Sequence, residues 1–270
     1  MTLGILDWGI GGVEFRTAFK ARFPHVKVVY LSDAGCMPYG RQSARDLEAR
    51  LVVVAQRLAQ AGVTRLVVAC NAMSTILPGH SAGELGLERI CGVIDSAVEA
   101  VLEADVGVVG VVGGGRTIRS GAYRRPLLAA GLSVRQRVAQ PLSALVEAGL
   151  TGTPIFRAEA RRVMAPLARV DALVLGCTHY SAGLARFREL APAAVIVDPA
   201  HETLDRVVSG WFDGRSTDDD GHGAARASVV ATDTFFTTGD PAATARAALL
   251  AFGVHLPAVV GVDTELRGLD

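Results

Sequence analysis

Two cysteines stand where apolar runs give way to small polar residues. One lies in Ala69-Cys70-Asn71-Ala72-Met73-Ser74, the other in Gly176-Cys177-Thr178-His179-Tyr180. The runs before them echo one another: Arg65-Leu66-Val67-Val68 and Ala172-Leu173-Val174-Leu175. A thiol at a strand-to-helix junction meets the positive end of the helix dipole, which favours the thiolate. A free thiol titrates at ~8.5, so a modest shift makes it a base near neutrality. An inert buried cysteine is the plain alternative. His179 follows Cys177 by two residues. In an extended segment the two share a side, and imidazole exchanges protons near neutral pH.

Three further segments suit ligands. Gly4-Ile5-Leu6-Asp7-Trp8-Gly9-Ile10-Gly11-Gly12 reads as a strand and a Gly-rich turn leading into a helix. Such glycines let a ligand approach backbone N–H groups. Asp33, at the end of the next apolar run, stands near the offset of a ribose-binding acid. The G-x-G-x-x-G pattern is incomplete, however, and Asp7 would repel a pyrophosphate, so a nicotinamide dinucleotide is the lesser reading. Gly113-Gly114-Gly115-Arg116-Thr117-Ile118-Arg119-Ser120 follows another apolar run. Its amides and the Thr117 and Ser120 hydroxyls suit a carboxylate or phosphate, without the Gly-Lys-Ser/Thr ending of a P-loop. Met37-Pro38-Tyr39-Gly40 reads as a turn whose free N–H groups could close over a ligand.

Alternating short and long elements must position these residues. Strands are expected over 3–6, 26–31, 65–69, 90–93, 106–112, 172–175 and 194–197, with short ones near 234–238 and 258–262. Helices are expected over 13–22, 44–61, 96–103, 141–147, 158–167 and 241–252. Continuous apolar strands alternating with helices imply parallel sheet covered on both faces, an α/β fold. The Gly- and Asp-rich stretch 213–226 reads as a loop. Ligands of such sheets bind beyond the carboxyl ends of the strands, so two domains facing each other would set two strand-end thiols across one cleft.

Composition narrows the chemistry. The chain has 270 residues, 50% hydrophobic and 20% charged, enough for a buried core. Its 27 basic and 27 acidic residues cancel, which argues against a nucleic-acid partner. Only Lys20 and Lys27 are lysines, and neither follows a strand-end loop, so a pyridoxal Schiff base is not expected. No apolar stretch approaches the ~20 residues of a membrane span, and residues 1–10 carry Asp7 and no basic leader region. Four scattered cysteines without C-x-x-C suggest free thiols in the cytoplasm and no metal site.

Taken together, residues 4–12, Pro38-Tyr39-Gly40, 67–71, Gly92-Val93-Ile94, 117–123, Leu145-Val146-Glu147, 173–180, Val197-Asp198 and 236–241 resemble the glutamate racemase family of the aspartate/glutamate racemase superfamily. The resemblance implies two Rossmann-like α/β domains with mainly parallel sheets, related by a pseudo-twofold, with the active site in the cleft between them. We expect residues 1–93 plus 203–270 to form one and 94–202 the other. It implies a cofactor-independent amino-acid racemase in which Cys70 and Cys177 face opposite sides of the substrate Cα. Asp7 and His179 would be their acid/base helpers. Trp8, Pro38, Tyr39, Gly40, Asn71, Ala72, Thr117, Ser120 and Thr178 fall where the family binds the amino acid, and Glu147 falls on an acid near the site. Peptidoglycan precursor supply is implied by the same analogy, and a homodimer is compatible with it.

The departures lie in the substrate pocket. Trp8 follows Asp7 where the family usually has serine, Ala72 replaces threonine, Gly114 replaces threonine, and Arg116 stands where a small residue is usual. A site built on hydroxyl donors loses discrimination when they go. Three readings therefore stay open: a glutamate racemase-like enzyme, a racemase or epimerase for another amino acid, and a non-catalytic relative that binds a ligand or partner. Superfamily decarboxylases typically keep one of the two cysteines, so the pair favours racemisation.

Overall fold

A computed structural model describes residues 1–212 and 232–265. The loop expected over 213–226 lies outside the described residues. Ten strands among those described are β1 (Thr2–Asp7), β2 (Lys27–Ser32), β3 (Arg65–Val68), β4 (Arg89–Cys91), β5 (Val108–Gly113), β6 (Ser133–Val138), β7 (Ala172–Gly176), β8 (Val195–Val197), β9 (Thr234–Thr237) and β10 (Val259–Gly261). They form two sheets, of order β10-β9-β2-β1-β3-β4 and β6-β5-β7-β8, with every pairing parallel. The chain leaves the first sheet after β4, builds the second, and returns with β9 and β10. The second sheet repeats the core of the first: second strand, first, third, fourth. β3 and β7 are thus equivalent strands, and Cys70 and Cys177 follow them.

Burial explains the layers. β1 and β2 are buried along almost their whole length, and β7 throughout, as strands covered on both faces must be. Leu3 and Ile5 of β1 pack with Phe15 and Phe19 of helix Val13–Arg22, while Leu6 faces Leu47, Leu51 and Leu58 of helix Ala44–Gln60. That alternation is the two-residue period of the pleat. In the second sheet Leu173 and Leu175 meet Phe156 and Phe187, while Val109 and Val111 meet Val98 and Tyr123. Among the described residues no helix is long and apolar enough to cross a membrane.

The structure adds elements that periodicity did not reveal. β6 is an edge strand whose sequence, Ser-Val-Arg-Gln-Arg-Val, is mostly exposed or half-buried, so it lacks an apolar run. The short helices Arg124–Ala129, Leu184–Leu190 and Pro199–Thr203 offer too few turns for a periodic stripe. The helix expected over 158–167 begins earlier, at Pro154, where Thr153 caps it by accepting from the Phe156 N–H.

Asp33 does not face a ribose. It is fully buried just past β2, where it accepts from Tyr39 Oη and Thr238 Oγ1 and pairs with Arg50. This counts against the lesser, dinucleotide reading: the carboxylate is committed to the fold, tying the Pro38–Gly40 turn to the sheet. Arg50→Ala would leave a buried carboxylate without its cation, at a cost of about 3 kcal/mol. Urea denaturation should show a correspondingly lower midpoint, and an unchanged midpoint would contradict this account.

Candidate active site

The carboxyl ends of the two sheets meet around a cavity of about 700 Å³. Cys70 and Cys177 both line it. From the first sheet come Trp8, Asn71, Ala72 and the turn Pro38-Tyr39-Gly40; from the second come Thr117, Glu147, Thr178 and His179. Asp7 sits behind this lining, 1% exposed. Ser120 is not among the lining residues: its hydroxyl donates to Thr117 O and accepts from the Ala122 N–H. Its expected contact with substrate is therefore not supported by its position.

Cys177, His179 and Glu147 form a chain of contacts. Residues 178–183 turn in a 3₁₀ helix instead of continuing extended, and this brings His179 Nδ1 to 3.7 Å from Cys177 Sγ. His179 Nε2 lies 2.5 Å from Glu147 Oε1, which also accepts from the Ile10 N–H at 3.0 Å. Burial alone would lower the His179 pKa, but its bonds to Cys177 and Glu147 and the Glu147 charge hold it well above the ordinary imidazole value. Burial raises the Glu147 carboxyl, yet the bond and charge of His179 bring it below the usual range. Each partner thus favours the charged form of the other. Removing the charge by Glu147→Gln takes away a contribution that keeps His179 protonated. The His179 titration, followed by NMR, should then move to lower pH, and an upward move would refute the assignment.

Cys70 has a different setting. It caps a single helical turn, Asn71–Ser74, and the N–H groups of Met73 and Ala72 do favour its thiolate. Burial outweighs them, and with the Asp7 charge pushes the thiol well above its ordinary value. The helix end favours the Cys70 thiolate as expected, but burial and Asp7 outweigh it. Burial likewise raises Asp7, against the His179 charge and the bonds from the Trp8 N–H and Thr178 Oγ1. Burial and Asp7 favour the Cys70 thiol over its thiolate, while Cys177 has His179 beside it as a proton partner.

The Gly-rich turn serves packing. Its amides are engaged by the protein's own carboxylates: Trp8 N–H and Gly12 N–H donate to Asp7, and Ile10 N–H to Glu147. A Cβ at Gly9 would overlap Glu147 Oε1, and one at Gly11 would overlap Thr178 Oγ1 and lie 2.7 Å from Asp7 Oδ2. The bare backbone lets the second sheet's catalytic candidates approach Asp7. These glycines make room for side chains, not for the phosphate their spacing suggested.

The departures from the family pattern have definite contacts. The Trp8 indole donates to Cys36 O at 3.0 Å, and its ring lies 6.5 Å from that of His179. Arg116 does not line the cavity; its Nε donates to Thr75 Oγ1. Tyr39 lines the cavity, but its hydroxyl donates to Asp33. Asn71 Oδ1 accepts from Tyr123 Oη at 2.6 Å, leaving a buried Nδ2 without a partner among the described residues. Sequence reasoning missed Gln140 and Arg41, which also line the cavity. Neither belongs to a recognisable motif, and only the fold sets Gln140 against Gly114. Outside this lining, Glu14, Asp198 and His201 bring one ligand-type atom each within 4.8 Å of the others.

Fold and site thus define an α/β protein whose cavity, between two parallel sheets, carries one thiol from each. The model of the Asp/Glu/hydantoin racemase family matches residues 14–207, and the chain belongs to that family of isomerases. It is 37% identical over 189 residues to a protein of Deinococcus radiodurans named glutamate racemase, covering 67% of this chain and 64% of that one. It is 32% identical over 255 residues to the glutamate racemase of Gloeobacter violaceus, covering 92% and 91%. The crystal structure of the Thermus thermophilus glutamate racemase in complex with beta-chloro-D-alanine superposes with a TM-score of 0.83 at 27% identity, over 97% of this chain and 96% of that one.

Proposed function

We propose that the protein racemises an amino acid without a cofactor, using Cys70 and Cys177 as two bases at Cα. One observation carries this reading: thiols from equivalent strands of two sheets line the same cavity. Inversion at carbon needs a proton acceptor on one face and a donor on the other. One sulfur, as thiolate, takes the α-proton, and the C–H electron pair stays on Cα, spread into the α-carboxylate. The opposing thiol then gives its proton to the other face. Cys70, kept protonated by burial and Asp7, is a donor at rest, and Cys177 exchanges its proton through His179 and Glu147.

The carbanion is the costly species, so fixed donors in a water-poor cleft must stabilise it. Asn71 Nδ2 is a buried donor without a protein partner, suited to the substrate carboxylate. Thr117, buried beside the cavity, offers a hydroxyl. The relatives are named glutamate racemase, and we take glutamate as the first substrate to test. Trp8, Ala72 and Gly114 remove hydroxyls from the lining and favour a related amino acid as the alternative. On this reading the product is a D-amino acid for peptidoglycan precursors, made in a cytoplasm that keeps both thiols reduced.

The test is polarimetry of the purified protein with D- or L-glutamate and no added cofactor. The reading predicts that rotation decays to zero from either side. Constant rotation with glutamate and with a panel of other amino acids would remove it.

A further inference from the structure

Gln140 begins the helix Gln140–Glu147 and lines the cavity opposite the Pro38–Gly40 turn. Its Oε1 accepts from the Gly115 N–H at 3.1 Å. That donor fixes the amide's orientation, because an N–H cannot face an NH₂ group at this distance. The carboxamide fits between two bare glycines. A Cβ at Gly40 would come within 2.6 Å of Gln140 Oε1, and one at Gly114 within 3.0 Å. Gln140 therefore occupies the space that a side chain at position 114 would fill. With Oε1 engaged, the polar group left to it is Nε2, a donor of two protons.

Among the described residues the nearby carboxylates already have partners. Asp33 is tied to Arg50 and Tyr39, Asp7 to the Gly-rich turn and Thr178, and Glu147 to His179. Arg41, on the same wall as Gly40, is exposed, lines the cavity, and makes no side-chain hydrogen bond or ion pair among the described residues. This wall offers donors and a positive charge.

The geometry points to Gln140 as the residue that reads the substrate's side chain, its Nε2 acting with Arg41 to select amino acids that end in a carboxylate. This rests on the racemase reading above and deepens it. The carboxamide supplies the donor function that glycine at 114 lacks, from the other side of the same space. The acceptor must be an oxygen of the substrate, and Arg41 favours that oxygen when it is charged.

The experiment follows α-proton exchange in D₂O by NMR for the full chain and for Gln140→Glu and Gln140→Ala. The substrates are glutamate, 2-aminoadipate, glutamine and norleucine. Gln140→Glu keeps the shape and can still accept from Gly115, but turns the donor into an anion. Wild type should prefer the two acidic substrates. Gln140→Glu should raise their KM by about 10- to 100-fold, the loss of a hydrogen bond to a charged group, with kcat little changed. Circular dichroism should show both variants folded, and the KM increase should be smaller for glutamine and norleucine than for the acidic substrates. Equal preference for norleucine in wild type, an unchanged KM for acidic substrates in Gln140→Glu, or a parallel loss on all substrates in both variants would each overturn the assignment. Exchange in wild type without a Gln140 effect defeats this inference alone; no exchange with any substrate defeats the two-thiol reading and this inference with it.

Discussion

Cys70→Ala and Cys177→Ala should each lower kcat/KM for racemisation by about 10²–10⁴-fold, the range for a lost general acid or base. On the two-base reading each sulfur serves one face of Cα, so neither can stand in for the other. The loss should fall on kcat, because the binding candidates Asn71, Thr117 and Gln140 are untouched. Cys177 is half-buried, and its replacement should leave thermal stability nearly unchanged. Cys70, 9% exposed and packed in the first sheet's core, should lose a little more. Chiral chromatography of the products measures both variants. Activity within about tenfold of wild type in either one would mean that a single face suffices, and the two-base account would fail.

Gly9→Ala should be nearly as damaging, although Gly9 carries no chemistry. The added methyl would occupy the position of Glu147 Oε1, and His179 Nε2 lies only 3.3 Å from the same point. Glu147 would have to leave His179 and the Ile10 N–H. Displacing catalytic groups by about 1 Å can cost about 10²-fold in rate, and overpacking costs about 1–3 kcal/mol in stability. The expected result is a folded protein with a somewhat lower melting temperature and kcat reduced by about 10²-fold. Gly131→Ala is the matched control. Its φ of +86° makes the change strained, but a Cβ there meets no atom within 4 Å, so stability should fall while kcat holds. Normal kcat in Gly9→Ala would show that the Glu147–His179 contact is dispensable.

The α/β class, the strands that carry the thiols and the helices Val13–Arg22, Ala44–Gln60 and Pro241–Phe252 were legible because fully buried strands read as unbroken apolar runs and long helices carry a stripe. β6 was hidden because an edge strand shows charge to solvent. The chemistry-bearing residues Cys70, Cys177 and His179 were legible by type and by their place at strand ends. Three local signals were incomplete for one reason, that each took a residue's own segment as its environment. The helix-end effect on Cys70 is outweighed by burial and by Asp7, which approaches from the neighbouring strand β1. The phosphate signal of the Gly-rich turn, already the lesser reading, could not show Glu147 and Thr178, which come from the other sheet's side. Asp33 looked free until Arg50, 17 residues on, reached it. Gln140 could not be found this way, because its meaning depends on Gly40 and Gly114, which only the folded chain sets against it.

The most direct measurement starts from one protonated enantiomer of the best substrate in D₂O and resolves both enantiomers by isotope at early turnover. Two sulfurs on opposite faces predict product that carries deuterium at Cα while the unconverted substrate still carries its original proton. Product that retains the substrate's own proton, or deuterium entering the starting enantiomer as fast as the product, would mean that one group serves both faces.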